Sequence, residues 1–264
     1  LNQWTGWRRG ERVALLWGAR NDNARFDREW VRNWLQNRFL IDAFDMGEAR
    51  LARAVERLRQ GRPKLILAYA SAAYLVARYM EREGISLEHP PKAAISSAEV
   101  LLPHYRRTIE ARFRCKVFDR YGSREVGPMA MQCEAGAMHV NAGHVILEVE
   151  NPDETGVGNL IVTQLDNFAF PFIRYRIGDL AAVDRSSGCP CGRSAPVLRD
   201  LRGRMSDYII APDGKLIHGE WFTHLFYGMP GVTLFTFRQT GPAEYKFEVK
   251  READETTPIF AEGF

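Results

Sequence analysis

The sequence contains no apolar run that approaches the roughly 20 residues a helix needs to cross a bilayer, so a membrane span is not expected. It also opens without the pattern of a secretory signal peptide. Internal repeats and low-complexity linkers are lacking, which argues against repeat and disordered proteins. Four cysteines in 264 residues are too few for a secreted disulfide scaffold. These absences favour a globular protein of the cytoplasm.

An excess of charge of either sign is also lacking. The chain has 36 basic and 33 acidic residues, for a net charge of +3. Only six of the basic residues are lysine, and the arginines are spread along the chain rather than clustered. Binding to nucleic acid or to a membrane surface is therefore not expected. The length allows one large domain and a smaller one.

Up to about residue 121, short apolar runs alternate with amphipathic stretches. The runs "VALLW", "FLIDAF", "KLILAYA", "AAISS" and "KVF" have the composition of buried strands. Four helical stretches separate them; Ser71 is the predicted N-cap of the third, and Trp34 and Leu35 of the first are predicted to be core. This alternation predicts a doubly wound parallel α/β sheet over residues 1–136.

The pattern changes beyond residue 136. "HVILEVE", "NLIVTQL" and "FPFIRYRIGDLAAV" predict an antiparallel β-subdomain over residues 137–203. Residues 204–264 predict part of a small α+β C-terminal domain after a hinge. That domain would contain a hairpin that turns at Asp213 and Gly214 and a helix near "EWFTHLFYG".

One stretch, "DRYGSREVG" from Asp119 to Gly127, combines an aromatic ring, a Gly-Ser turn and an acid after the fifth predicted strand. "SSAEV", from Ser96 to Val100, follows the fourth strand. Ligands of doubly wound sheets bind at the carboxyl ends of the strands, so the two loops are expected to face one ligand. A plain surface turn is the alternative, because Gly and Ser are ordinary turn residues.

A second set of residues has the chemistry of a metal site. Cys133 and His139 lie in "CEAGAMH", and Cys189 and Cys191 lie in "GCPCGR". Three thiolates and one imidazole suit a closed, tetrahedral structural Zn²⁺ site in a zinc loop of the β-subdomain. The alternatives are small buried apolar residues or a disulfide, which a reducing compartment disfavours. His144, in an apolar stretch, is predicted to be a satisfied core histidine rather than a fifth ligand.

Three motifs in order, "YGSREVG", "RYRIGDL" and "LRGRMSDYII", resemble those of adenylate-forming enzymes (the AMP-dependent synthetase and ligase superfamily). The branch that the sequence resembles contains phenylacetate–CoA ligase and the CapK-type capsular polysaccharide proteins. The CapK-type members also share the Cys/His loop, "CPCGR" and "APDGKLIHG". The resemblance covers essentially the whole chain.

The resemblance implies a site for ATP or AMP. Tyr121 would stack on adenine, Gly122 would let backbone approach the nucleotide, and Ser123 would lie beside the phosphates. Glu125 would hold Mg²⁺, and Asp179 would bind both ribose hydroxyls. Taken alone, Tyr121 could equally be a buried aromatic and Asp179 a strand end.

The remaining implied residues complete this site. Ala98 and Glu99 match a loop that lines the adenine pocket, and Asp119 is assigned to the nucleotide as well. Arg204 would reach the ribose or phosphate and, with Glu125, would act in catalysis; a surface ion pair is its alternative. The implied reaction is AMP-forming activation of a carboxylic acid, aryl or otherwise apolar, and transfer of the acyl group to CoA or another acceptor.

Two family features are missing: the Ser/Thr/Gly-rich phosphate loop and the C-terminal catalytic lysine. The hinge acid is replaced by Ser206, with Asp207 next. These departures predict a fragment of a longer enzyme that is inactive by itself. The alternative is a non-catalytic, zinc-stabilised relative that acts as a scaffold or binds a partner. A zinc-ribbon nucleic-acid binder is disfavoured, since only Arg185 and Arg193 lie near the cysteines; a homodimer stays open.

Overall fold

The structure is a computed structural model that describes residues 1–18, 26–43, 46–186, 188–202, 208–210, 212, 216–218, 232–241 and 244–251. Its helices are a short 3-10 helix, Asn2–Thr5, and four α-helices: α1 Phe26–Leu35, α2 Glu48–Gly61, α3 Ala70–Arg82 and α4 Pro103–Phe113. Within these described ranges, no helix is both long enough and apolar enough to span a membrane.

The first strands are short and alternate with the helices: β1 Val13–Leu16, β2 Arg38–Ile41, β3 Leu65–Tyr69, β4 Ala93–Ser97 and β5 Lys116–Ser123. Six more follow without helices: β6 Gly127–Gln132, β7 Met138–Val140, β8 Val145–Glu150, β9 Gly158–Gln164, β10 Tyr175–Asp184 and β11 Val197–Arg199. The last four are β12 Tyr208–Ile210, β13 Leu216–His218, β14 Val232–Gly241 and β15 Glu244–Arg251.

The chain divides into two compact units. The first contains Leu1–Ile177 and Ala181–Asp200, and the second contains Gly178–Leu180 and Leu201–Phe264. The predicted boundary between residues 136 and 137 falls within the first unit, so the division into three parts stays a prediction. In the second unit, β12 pairs with β13 and β14 with β15, both antiparallel. The predicted turn at Asp213 and Gly214 and the predicted helix lie outside the described residues.

Eleven strands form one sheet in the order β2-β1-β3-β4-β5-β6-β7-β11-β10-β9-β8. The pairs among β1 to β5 are parallel, and the pairs from β5 through β7 and β11 to β10 are antiparallel. The α/β class with a parallel sheet followed by an antiparallel region is therefore confirmed. Three strands of this sheet, β6, β7 and β11, were not predicted from the sequence.

Apolar side chains cover both faces of the parallel strands. On one face α2, α3 and α4 pack against the sheet through buried residues such as Leu58, Val76 and Ile109. On the other, Ile95 and Phe118 pack with partly buried residues that include Trp4 and Trp7. The antiparallel strands have their own core, which includes Met129, Leu147 and Leu160.

Two predictions about the helices are wrong. Trp34 is 70% exposed and Leu35 is 69% exposed, so the end of α1 is not core. Ser71 is not the N-cap of α3, since the helix begins at Ala70 and the N-cap position is Tyr69. The hydroxyl of Ser71 instead binds an acid from another loop, which is described below.

Candidate functional site

The fourth and fifth strands bring the two predicted loops to one edge of the sheet. Ser97, the last residue of β4, lies opposite Arg120 in the parallel pair with β5. The Ser97 hydroxyl donates a 3.2 Å hydrogen bond to the Arg120 carbonyl oxygen. Ala98 and Tyr121 are the next residues of the two strands, so they leave the pair at the same edge.

Ala98 has the left-handed conformation, with φ of 69°. An alanine rarely adopts this conformation, which costs about 1 kcal/mol or more. It turns the chain so that Glu99 reaches the first turn of α3. There the Glu99 carboxylate accepts hydrogen bonds from the Ser71 backbone N–H at 2.7 Å and from the Ser71 hydroxyl at 2.9 Å. A carboxylate at a helix N-terminus is stabilised by the free N–H groups and the helix dipole.

The predicted loop after the fifth strand is a hairpin. β5 continues through Tyr121, Gly122 and Ser123, so this part of the motif is strand and not loop. β6 returns antiparallel from Gly127, with a register shift between Tyr121 and Gly122. A Cβ atom on Gly122 would lie 2.5 Å from the Gly127 carbonyl oxygen, so only glycine fits this close approach. The structural need for Gly122 is therefore contact between two strands.

The turn of this hairpin presents an acid to solvent. The Ser123 hydroxyl accepts a 3.1 Å hydrogen bond from the Val126 backbone N–H, which closes the turn. The Val126 side chain is 2% exposed, whereas Glu125 is exposed. Tyr121 is half-buried and packs against the core of the antiparallel strands. The acid of the motif thus lies on a turn that is anchored on both sides, which the sequence did not indicate.

Asp119 lies apart from the exposed acid of the turn. Burial raises the pKa of its carboxyl to about 6, although the nearby Arg106 guanidinium lowers it. Its backbone N–H donates to the Gln132 side-chain oxygen at 3.1 Å, and the same oxygen accepts a hydrogen bond from Arg106. The predicted contact of Asp119 with nucleotide stays a prediction.

The last two predicted nucleotide residues are in or near the second unit. Asp179 is half-buried in β10, directly after Gly178, whose φ of 90° is in the left-handed region. It belongs to the second unit, whereas Tyr121 and Glu125 belong to the first, so their predicted convergence stays a prediction. Arg204 lies outside the described residues.

The four predicted zinc ligands come together. The ligand atoms of Cys133, His139, Cys189 and Cys191 all lie within 4.8 Å of one another. The Cys133 and Cys189 sulfurs are 3.7 Å apart, and the Cys191 sulfur is 3.2 Å from His139 Nε2. Two thiolates on a tetrahedral Zn²⁺ would be about 3.8 Å apart, given Zn–S bonds of about 2.3 Å. The donor set and the spacing therefore fit zinc.

Two tight turns hold the thiols. The Gly136 N–H donates to the Cys133 carbonyl at 2.9 Å, and the Gly192 N–H donates to the Cys189 carbonyl at 3.0 Å. Both glycines have positive φ, 90° and 77° respectively. Each turn is thus closed by a residue that can adopt the left-handed conformation without strain.

The histidine of the cluster is oriented by a backbone group. His139 is fully buried, and its Nδ1 lies 2.9 Å from the Ala195 carbonyl oxygen. Because a carbonyl only accepts, Nδ1 carries the hydrogen, and the lone pair of Nε2 faces the thiols. Desolvation raises the pKa of Cys191, but hydrogen bonds from the backbone and side chain of Arg193 and from the neighbouring thiols lower it to about 6. A thiolate at neutral pH is the form that binds metal.

The cluster is also packed against the start of the chain. The Trp4 ring meets the His139 ring edge-on, with centroids 6.2 Å apart. The Arg193 guanidinium lies 4.6 Å from the centroid of the Trp4 ring and binds Glu134 at 2.6 Å. Sequence reasoning missed Trp4 and Ala195, because nothing in the local pattern pairs them with the cysteines; it placed Arg193 near the cysteines but gave it no contact.

His144 is a satisfied histidine, as predicted, but it is half-buried rather than core, and it precedes β8 rather than lying within it. Its Nδ1 lies 2.7 Å from Asp166 Oδ2, and its Nε2 lies 2.7 Å from the Val126 carbonyl oxygen. Gln164 donates a second, 3.3 Å bond to the same carbonyl. The sequence did not indicate that His144, Gln164 and Asp166 come together beside Val126.

Comparison with known proteins gives relatives and a fold. No family model matches the sequence. Over 180 residues, 68% of the chain, it is 25% identical to Protein CapK of Staphylococcus aureus, of which it covers 40%. Over 217 residues, 78% of the chain, it is 26% identical to phenylacetate-coenzyme A ligase of Pseudomonas putida, of which it covers 47%.

A crystal structure of 2-hydroxyisobutyryl-CoA ligase in the postadenylation state superposes with a TM-score of 0.69 and 20% identity. The match covers 96% of this chain and 56% of that one. The chain has the fold of adenylate-forming ligases. The predicted resemblance to adenylate-forming enzymes and to their phenylacetate–CoA ligase and CapK branch is therefore confirmed. This chain spans about half the length of the relatives that it matches.

Proposed function

We propose that this chain forms the nucleotide-binding part of an ATP-dependent, AMP-forming ligase that activates a carboxylic acid as an acyl-adenylate. The observation that carries the proposal is the parallel pairing of β4 and β5, because Ala98 follows Ser97 and Tyr121 follows Arg120 where this pairing ends. Similarity to phenylacetate-coenzyme A ligase supports CoA as the acceptor and an aryl or other apolar acid as the substrate.

The chemistry needs the residue types that this edge offers. A carboxylate oxygen attacks the α-phosphorus of ATP, a new P–O bond forms, and the bond to the β-phosphate breaks with release of pyrophosphate. Two anions must approach each other, so positioning and charge neutralisation dominate the barrier. Mg²⁺, when bound, supplies that neutralisation, and an exposed carboxylate such as Glu125 beside phosphate oxygens is the ligand set it prefers.

The other predicted residues would position the nucleotide. The Tyr121 ring would stack on adenine, and the Asp179 carboxylate would accept hydrogen bonds from both ribose hydroxyls. Arg204 would offset phosphate charge during the transfer. The two bonds from Ser71 support a role for Glu99 in shaping the pocket wall rather than in contacting the nucleotide.

A second proposal concerns the Cys/His cluster, which would hold one structural Zn²⁺. The Sγ spacing, the orientation of the His139 ring and the low pKa of Cys191 support it. Four protein ligands leave no position for water, so the metal would stabilise the fold and take no part in the reaction.

Exchange of labelled pyrophosphate into ATP tests the ligase proposal. We expect the full-length protein to show exchange with one member of a panel of aryl and fatty acids. Glu125→Ala should reduce the exchange by roughly 100-fold or more, the size of effect seen when one electrostatic contact to a transition state is lost. The control is Glu154→Ala, which removes an exposed acid from another turn of the first unit.

The outcomes separate the proposals. Absence of exchange with every acid would favour the alternative of a non-catalytic, zinc-stabilised relative. Exchange that survives Glu125→Ala unchanged would contradict the magnesium role of Glu125 and leave the ligase proposal standing.

A further inference from the structure

The backbone of Val126, the residue directly after Glu125, is held by three side chains. Its N–H donates to the Ser123 hydroxyl at 3.1 Å. Its carbonyl oxygen accepts from His144 Nε2 at 2.7 Å and from Gln164 Nε2 at 3.3 Å. The backbone N–H and the carbonyl oxygen of Val126 are therefore both hydrogen-bonded, and the Val126 side chain is buried.

His144 is itself oriented by Asp166. His144 Nδ1 lies 2.7 Å from Asp166 Oδ2, while Nε2 faces the Val126 carbonyl. A carboxylate and a carbonyl oxygen are both acceptors, so each can take a hydrogen bond from a ring N–H of the histidine. The contact with Asp166 fixes the plane of the ring and aims Nε2 at the backbone carbonyl.

The three side chains are brought together by the pairing of β8 and β9. Val145, the residue after His144, lies opposite Gln164, and the Leu165 N–H donates to the His144 carbonyl at 2.9 Å. Gln164 and Asp166 thus lie on either side of Leu165, whose backbone N–H is hydrogen-bonded to His144.

We propose that His144, held by Asp166 and assisted by Gln164, is a positioning residue that fixes the turn carrying Glu125 for its magnesium-bound nucleotide. This inference rests on the proposed function through Glu125. Glu125 is exposed and immediately precedes Val126 on a turn of three residues between two strands, so the anchored Val126 backbone limits the movement of the turn that carries Glu125. Residues that orient a metal ligand without touching the metal typically change affinity or activity by 10- to 100-fold when mutated, roughly the effect expected here.

A matched pair of substitutions tests the geometry. The amide nitrogen of a glutamine lies near the position of a histidine Nε2, and that of an asparagine lies near Nδ1. His144→Gln should therefore keep a donor for the Val126 carbonyl and stay within roughly three-fold of wild type, about half the worth of one neutral hydrogen bond. His144→Asn and His144→Ala should raise the Mg²⁺ concentration for half-maximal pyrophosphate exchange by roughly 10- to 100-fold. The control is His89→Ala, an exposed histidine of the first unit.

Hydrogen exchange of the chain itself gives a readout besides activity. A peptide that covers residues 121–128 should exchange roughly five- to ten-fold faster in His144→Ala than in wild type, because one hydrogen bond of about 1 kcal/mol is lost. Asp166→Asn should give a smaller change of the same sign. His89→Ala should not alter this peptide.

Each outcome bears on the proposal. Unchanged exchange of residues 121–128 in His144→Ala would overturn the clamp. Faster hydrogen exchange in His144→Ala with an unchanged Mg²⁺ requirement for pyrophosphate exchange would overturn the positioning role and leave a structural histidine. An equal rise of that Mg²⁺ requirement in His144→Gln and His144→Asn would lead to the same conclusion. A wild-type protein without pyrophosphate exchange would overturn the proposed function and the positioning role together, while the hydrogen-exchange comparison would still show whether the clamp exists.

Discussion

The two ends of β6 carry two sites of opposite design. At its start, Glu125 is exposed on the turn after Ser123, and the Val126 backbone is hydrogen-bonded to Ser123 and His144. Immediately after its end, Cys133 joins a cluster in which every side chain faces the others and His139 is fully buried. The cluster is built from side chains that approach one another inside the protein, whereas the turn presents an exposed acid at the surface.

Loss of the metal should have the largest effect. Cys133→Ser removes a buried ligand of the proposed zinc. We expect about one zinc per chain in the wild-type protein and none in the variant. The free energy of unfolding should fall by about 5 kcal/mol, a part of the roughly 10–16 kcal/mol that structural zinc contributes in small zinc domains. Metal analysis and thermal unfolding of untagged protein measure both quantities.

Cys115→Ala is the control for this prediction, because Cys115 is a partly buried thiol outside the cluster. It should keep its zinc. Freshly purified wild-type protein that contains no zinc would contradict the proposed metal site of the Cys/His cluster.

Overpacking of the hairpin should have the next largest effect. Gly122→Ala places a Cβ against the Gly127 carbonyl oxygen, a backbone atom that cannot rotate away. We expect a loss of about 3 kcal/mol in the free energy of unfolding, at the upper end of overpacking costs. Gly143→Ala, at a glycine with no neighbouring atom within 4 Å, is the matched control. Equal stabilities in urea unfolding would mean that the strands do not approach so closely.

The smallest effect concerns the second acid of the motif. Asp119 is half-buried, and this partial burial raises the pKa of its carboxyl from 3.8 to about 6. The folded state then binds more protons than the unfolded state between about pH 4 and pH 6, so this group makes stability fall as pH rises through that window. Asp119→Asn should remove this slope and stabilise the protein by about 1–2 kcal/mol above pH 6.

Urea unfolding at several pH values measures the slope, and Glu154→Gln controls for removal of one negative charge at the surface. A variant that loses stability at pH 7 would show that the Asp119 carboxylate is favourably paired. The difference between the half-buried Asp119 and the exposed Glu125 would then not extend to the stability of the charged form.

Much of the parallel half could be predicted from the sequence. Apolar runs such as those of β3 and β4 are buried on both faces, so their composition alone marks them as strands. One wrong prediction came from helical periodicity, since Trp34 and Leu35 fit an apolar stripe but are both exposed. The short strands β6, β7 and β11 were missed because they are stabilised by pairing with other strands rather than by their own pattern.

The sequence by itself determined the chemical types and their order: the aromatic, glycine and acid of the hairpin, and the three thiols and one imidazole of the cluster. Only the tertiary structure decided which groups hold them. Glu99 binds Ser71 28 residues away, and the Val126 carbonyl binds side chains 18 and 38 residues away. Local patterns report burial and backbone preference, whereas such contacts depend on the path of the chain between distant residues, which no local pattern encodes.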